Sequence, residues 1–308
     1  MSSSIPPKSS LPYKKLPFNF VLNHIKLGDA LGMGFEYTTE EFVKENIWKE
    51  NELPKFVKHP VFGDEISPGM YTDDSQMSSA LIKLMTTKPE SEWFDDRVVS
   101  HFFLLEFQQS PRKGYSKGLY EVMSSSRDWI DFLKKIAAFG KSTSNGGCMR
   151  AVPIGMLPSL DLVKKFARFQ AEITHKDTAV DAAEIVAVAS HILMYKSKHL
   201  LVDGLYTLVQ KECSYFPDIV PTLKRVAGKE HLGLKTAITA VKLFEDCKLN
   251  RNLSIHEAIR EAILLGGDTD TVAAIISGFY GCLNLTHRKL TRKTEYSEHI
   301  RPFINQIR

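Results

Sequence analysis

The chain has 308 residues, of which 43% are apolar and 25% charged, and its formal net charge is +4. That length can bury the core of an enzyme in one large domain or two. Lys and Arg are interspersed with Asp and Glu, so no basic face of the kind that selects nucleic acid is expected, and no run of about 18 uninterrupted apolar residues marks a membrane span.

The opening MSSSIPPKSSLPYKKLP, residues 1–17, is rich in Ser, Pro and Lys and lacks the apolar centre of a secretory signal. It is expected to be a disordered lead-in to one helical domain over 18–308. KLGDALGMGFEY (26–37) reads as a glycine-rich loop, and KHPVFGDEISPGMYT (58–72) as the one place for a short strand. Apolar residues at three- and four-residue spacing then predict helices at 75–87, 95–109, 126–140, 177–197, 200–212, 234–247, 254–267 and 269–285. Between them lie Gly- or Pro-rich loops: DEISPGMYTDD, QQSPRKGYSKG and KSTSNGGCMRAVPIG. The segment 286–308 is basic but isolated. The expected class is all-α, a single domain of packed helices with its special loops at helix ends.

The cysteines, Cys148, Cys213, Cys247 and Cys282, are scattered and form no C-x-x-C pair. Neither a thiolate zinc site nor a disulfide framework is expected, which suits a reducing, cytoplasmic setting.

Two helix starts carry more oxygen than a cap needs. In PGMYTDDSQM, Thr72, Asp73 and Asp74 crowd a first turn, and in GGDTDTVAAI, Asp268, Asp270 and Thr271 do the same. Either cluster alone is what an ordinary capped helix looks like, since a carboxylate accepts the unpaired N–H groups of the first turn. Repetition of one design at two distant places favours a shared site. If the starts face each other, four carboxylates and two hydroxyls converge and repel, a conflict that multivalent cations remove. Oxygen ligands without Cys or His indicate Mg²⁺, Mn²⁺ or Ca²⁺. The charge suffices for two divalent ions, roughly 3.5 to 4 Å apart in such sites.

Asp268 to Val272, DTDTV, also fits the D-x-D-x-[TV] signature of haloacid-dehalogenase-type phosphatases. That motif belongs at the end of an early strand, whereas here it opens a helix with too little chain after it for the rest of that domain. An EF-hand loop fails for want of its glycine and terminal Glu.

LGDALGMGFE, YTDDSQM, SNGGCMR and GGDTDT, in that order from Gly28 to Thr271, resemble the ADP-ribosylglycohydrolase family, which includes dinitrogenase-reductase-activating glycohydrolase and the ADP-ribosyl-acceptor hydrolases. The resemblance implies an all-α, orthogonally packed fold with a dinuclear Mg²⁺ or Mn²⁺ centre in a cleft. It implies that Thr72, Asp73 and Asp74 supply one side of that centre and Asp268, Asp270 and Thr271 the other, with Glu36 on a covering loop as a further catalytic carboxyl beside Asp74 and Asp268. It places Gly114, Tyr115, Gly118, Ser142, Asn145, Gly146, Gly147 and His175 along an ADP-ribose cleft, while Cys148 and Met149 are read as packing. Where some relatives that cleave serine-linked ADP-ribose carry Gly-Ser-Tyr, this chain has Lys141, Ser142 and Thr143, so an aromatic partner for the ligand is missing there. Pro153 in MRAVPIG is as in bacterial-type relatives. Both departures lean away from the serine-specific subgroup and leave the acceptor open.

The expected activity is metal-dependent release of ADP-ribose from a modified protein or small acceptor, by a monomer. The alternatives are a non-catalytic ADP-ribose-binding or crystallin-like member of the fold, and a phosphatase with Asp268 as nucleophile.

Overall fold

The computed structural model describes residues 13, 15–50, 52–217, 233–287 and 300–308, the side chains of 286 and 287 excepted. The expected lead-in falls almost entirely outside the described residues, as does much of the basic C-terminal segment. Fifteen α-helices occur among the described residues: α1 (Phe18–Gly32), α2 (Glu40–Asn46), α3 (Asp73–Thr87), α4 (Asp96–Gln109), α5 (Lys117–Ser125), α6 (Trp129–Phe139), α7 (Gly146–Met149), α8 (Leu160–Glu172), α9 (Thr178–Tyr195), α10 (Leu200–Asp203), α11 (Leu205–Glu212), α12 (Gly233–Phe244), α13 (Ile255–Leu265), α14 (Thr269–His287) and α15 (Arg301–Ile304). Short 3₁₀ turns and one π-helical turn, Glu245–Asn250, join them. No strand is present among the described residues, where the sole β contact is an isolated bridge between Ser142 and His175.

The expected strand at 58–72 is instead a string of turns. His59 explains it, because its Nδ1 accepts the N–H groups of Val61 and Phe62 at 3.0 and 2.9 Å, and its carbonyl accepts from Gly63 at 2.9 Å. Backbone groups satisfied this locally have nothing left to offer a sheet. A second correction concerns 26–37, which is not a loop but the end of α1 followed by a 3₁₀ turn, Met33–Phe35. The helix α8 likewise carries an apolar stripe, Leu162, Val163, Phe166 and Ala167, at a place where no helix was expected.

The glycines that mimic a loop in α1 are contact residues. A Cβ on Gly28 would overlap the Ala273 carbonyl of α14, and one on Gly32 would overlap the Asp270 backbone. α1 and α14 therefore run backbone to backbone, the most extensive helix pair among the described residues. From α1 the Asp29 carboxylate reaches the start of α3, at Thr72 and Ser75.

At the centre lies α9, long and apolar enough to cross a membrane by length and composition, yet 78% buried within the protein. It packs against α8, α11, α12 and α14. Its Val and Ile residues cost a helix only a few tenths of a kcal/mol each, whereas burying each returns about 1.5–3 kcal/mol, so packing decides its conformation. The site forms at one end of this scaffold, where the N-termini of α3 and α14 meet.

Candidate active site

The start of α3 is capped from another helix. Thr72 stands at the N-cap, but its side chain makes no cap bond. Fully buried Asp29 performs that task, accepting the Thr72 N–H at 3.0 Å, the Thr72 hydroxyl at 2.9 Å, the Ser75 N–H at 3.1 Å and the Ser75 hydroxyl at 2.6 Å. The carboxylates of Asp73 and Asp74 are thereby free for other work. The loop before α5 closes over them. The Asp73 N–H donates to the Lys113 carbonyl at 3.1 Å, and Gly114, at φ +105°, has no room for a Cβ because Asp73 Oδ1 occupies that place.

The start of α14 is reached through a turn in which Gly266 and Gly267 both have positive φ. One Asp268 oxygen caps α14, accepting the Thr271 N–H at 3.3 Å. Its other oxygen accepts from Asn145 Nδ2 at 2.7 Å and from the Tyr37 hydroxyl at 3.2 Å. The two clusters meet directly, since the Thr271 hydroxyl donates to Asp74 Oδ2 at 3.3 Å across 197 positions of sequence. Carboxylate oxygens of Glu36, Asp268 and Asp270 lie within 4.8 Å of one another.

Glu36 arrives on the segment after α1. Its carbonyl accepts Nε2–H of His59 at 2.7 Å, a tautomer dictated by the two N–H groups that His59 Nδ1 already accepts. The next residue, Tyr37, has φ +50°, and its N–H donates to the Gly267 carbonyl at 2.8 Å. Glu36 is thus held by its backbone, with its carboxyl left to face the cluster.

Electrostatics agree with this crowding. Burial first, then the neighbouring carboxylates, hold Glu36, Asp73, Asp74 and Asp270 well above the usual carboxylate range. Burial also raises Asp29 to about 6, against the pull of its four donors. Arg150, fully buried beneath the cluster, draws Asp73 back down a little. Asp74 Oδ1 is buried with no hydrogen-bond partner. An unsatisfied carboxylate oxygen there is costly without a cation. Converging hard oxygens and one orphaned acceptor fit a divalent metal ion.

A cleft of about 360 Å³ opens above the cluster. Glu36, Asp73, Asp74, Asp268, Asp270 and Thr271 form its floor, and Gly114, Ser142, Asn145, Gly146 and His175 line its sides. Other expected residues lie elsewhere. Tyr115 is buried behind α3, its hydroxyl donating to Gln76 Oε1 at 2.9 Å. Gly147 packs on Ala171, and Gly118 is the floor under the Phe139 ring. Thr72 is wholly buried, held by Asp29. Cys148 is core, as expected, but Met149 also reaches the cleft edge.

His175 is neutral, with burial and then Arg150 pushing it down to about 3. Arg150 Nη2 donates to the Thr174 hydroxyl at 2.9 Å, so that hydroxyl is directed to donate to His175 Nδ1 at 2.8 Å, leaving Nε2–H toward the cleft and Ser144 at 3.3 Å. Among residues the sequence did not single out, Asp29, Tyr37, His59 and Arg150 support the cluster. Phe139 adds an aromatic wall, 60% exposed at the cleft, from the end of α6 rather than from 141–143. The signal for Asp29 and Arg150 was a charge inside an otherwise apolar stretch.

DTDTV starts a helix and follows no strand, contrary to what the phosphatase reading needs. Comparison with known proteins points the other way. The chain is 35% identical over 264 residues to ADP-ribosylhydrolase ARH3 of Bos taurus, covering 68% of this chain and 70% of the relative. It is 31% identical over 260 residues to ADP-ribosylhydrolase ARH3 of Homo sapiens, covering 68% and 71%. A solved chain described as an ADP-ribosylglycohydrolase-related protein complex shares 18% identity at a TM-score of 0.48, over 95% of this chain and 98% of that one. The profile of the ADP-ribosylglycohydrolase family matches residues 26–284, which span both acidic clusters, the cleft between them and most of the helical scaffold; the chain belongs to that family.

Proposed function

We propose that the protein is a metal-dependent hydrolase that cleaves the glycosidic bond between ADP-ribose and an acceptor side chain, arginine or serine, and releases free ADP-ribose. The observation that carries this reading is the Thr271–Asp74 contact, which unites two distant carboxylate clusters around an unsatisfied Asp74 oxygen at the floor of the cleft. The family membership and the named activity of the relatives agree with it.

Asp73, Asp74, Asp268, Asp270 and the Thr271 hydroxyl would hold two Mg²⁺ or Mn²⁺ ions, while Thr72, expected as a further ligand, gives its hydroxyl to Asp29. When bound, such ions neutralise the carboxylates and grip vicinal ribose hydroxyls beside the scissile bond. Asn145 and Tyr37 orient Asp268 by donating to one of its oxygens. The Ser142 hydroxyl and the neutral His175 Nε2–H converge on Ser144 Oγ, leaving the Ser144 hydroxyl proton to the polar part of the nucleotide. Phe139 with Leu119 and Ile136 gives the base an apolar wall.

Glu36, whose carboxyl faces the acidic floor, is the group that exchanges protons with the reacting centre. Water adds through oxygen to the anomeric carbon, and the bond to the acceptor breaks with its electron pair leaving on the acceptor nitrogen or oxygen. That atom takes the Glu36 proton, and the proton lost by water returns to the carboxylate.

The test is release of free ADP-ribose from arginine-linked and serine-linked ADP-ribosyl peptides, with chelator and after re-addition of Mg²⁺ or Mn²⁺. Activity should vanish with chelator and return with metal, and Asp74→Ala or Asp270→Asn should lower kcat/KM roughly 100-fold or more. Undiminished release by both variants, or release untouched by chelator, defeats the reading. Tight ADP-ribose binding without turnover would instead indicate a non-catalytic member of the family.

A further inference from the structure

Asp73 is flanked by two segments from different parts of the chain. One is 69–71, which leads into α3. The other is 110–114, whose Lys113 carbonyl accepts the Asp73 N–H and whose Gly114 lies against Asp73 Oδ1. Gln76 fastens this second segment at its ends, with Nε2 donating to the Ser110 carbonyl at 2.7 Å and Oε1 accepting from the Tyr115 hydroxyl. Its middle is held otherwise. The Lys113 ammonium pairs with Glu65 at 2.8 Å, but both side chains are exposed, so that pair contributes little.

Arg112 is the remaining anchor, and its partners are a ring and a main-chain oxygen. Its guanidinium lies 4.0 Å from the centre of the Tyr71 ring, and Nη1 donates to the Arg308 main-chain oxygen at 2.9 Å. The same oxygen accepts the Tyr71 N–H at 3.4 Å, and the Arg308 N–H donates to the Gly69 carbonyl at 2.9 Å. Residue 308 is moored in turn by α15, where buried Phe303 meets the rings of Phe56 and His256 at 6.1 and 5.2 Å. Lys26 of α1 brings a second cation to the Tyr71 ring, at 4.4 Å. Arg112 Nε is buried with no hydrogen-bond partner. An N–H left in that state costs stability, so stability alone does not account for the placement of Arg112.

We propose that Arg112 is a positioning residue for the metal-binding carboxylates: by clasping the Tyr71 ring and residue 308, it presses the 110–114 segment onto Asp73 and fixes that carboxylate for a divalent cation. The inference rests on the metal-dependent reading given above. Arg112 stands outside the cleft lining, so it acts through Asp73. Without the clasp, Gly114 is free to move off Asp73, and the carboxylate gains orientations that a binding cation must remove again. Affinity then falls although every ligand is still present.

The experiment titrates Mn²⁺ into the full chain by calorimetry and follows denaturant unfolding in chelator. Arg112→Met and Tyr71→Leu should each weaken Mn²⁺ binding by roughly tenfold or more. Arg112→Lys and Tyr71→Phe, which keep a cation over a ring, should lose less than about threefold. Arg168→Met is the control, because it breaks contacts to Asp181 and Glu184 between α8 and α9. It should lower the denaturant midpoint at least as far as Arg112→Met, yet keep Mn²⁺ affinity within about twofold of wild type. Release of ADP-ribose by Arg112→Met should fall at limiting Mn²⁺ and recover with excess. Unchanged Mn²⁺ affinity in Arg112→Met and Tyr71→Leu, conservative variants no better than these two, or an equal loss in the control overturns the positioning role alone. Wild-type protein that binds no Mn²⁺ overturns the metal-dependent reading, and this inference with it.

Discussion

Asp29 carries no motif role of its own, yet its two oxygens accept four hydrogen bonds that fix the start of α3 and turn Asp73 and Asp74 toward the cleft. Asp29→Asn would point an amide donor at other donors in a fully buried place. Removing the charge also relieves repulsion on Asp73 and Asp74, which partly offsets the loss while no metal is bound. The expected outcome is a loss of about 3 kcal/mol with saturating divalent cation, a smaller loss with chelator, and weaker cation affinity. Chemical denaturation and a metal titration read both, and equal stability in the two conditions would contradict the trans-cap role. At this scale the acidic clusters were readable because oxygen-rich helix starts are rare in duplicate. Asp29, Tyr37, His59 and Arg150 were not, because each acts through partners from distant parts of the chain.

Helices with clear apolar periodicity, such as α9 and α14, were legible from spacing alone. α1 was not, because glycine is ambiguous between a turn and a close contact, and only the partner helix resolves which. Gly28→Ala separates the two by sign. In an exposed helix the change would stabilise by up to about 1 kcal/mol. Against the Ala273 carbonyl it should destabilise by roughly 1–3 kcal/mol, read as a lower denaturant midpoint at unchanged slope. A gain in midpoint would show that α1 and α14 are less tightly apposed than this geometry requires. The turns at 58–72 teach the same lesson from the other direction, since a histidine ring satisfied the backbone that alternation assigned to a strand.

For the molecule as a whole, the buried carboxyls make stability depend on pH and on metal together. A group raised in the folded state gives stability that is complete below its unfolded value, about 4, and is lost as pH climbs through the folded value. Asp29 reaches that point near 6, and Glu36, Asp73, Asp74 and Asp270 are also raised. His175, lowered to about 3, acts oppositely, losing stability as pH falls below the ordinary histidine value. Above about pH 6.5 His175 is neutral in both states and silent, so the carboxyls dominate there. Chelated protein should therefore melt at a lower temperature as pH rises from about 6.5 to 8.5, each carboxyl still protonated in the fold adding to the fall. Saturating Mg²⁺ or Mn²⁺ should flatten that slope and raise the melting temperature. Melts in chelator that stay level across the window, unmoved by cation, would remove the case for a metal at this site.

Helix periodicity and the doubled acidic starts were determined by the sequence itself, because both are local: a turn repeats every few residues and a cap needs only its own neighbours. The order of four short motifs identified the family on the same one-dimensional terms. Only the tertiary structure decided that Asp74 meets Thr271, that Asp29 rather than Thr72 caps α3, and that Phe139 of α6 lines the cleft. These are encounters between helix ends far apart in the chain, set by how closely α1 and α14 pack.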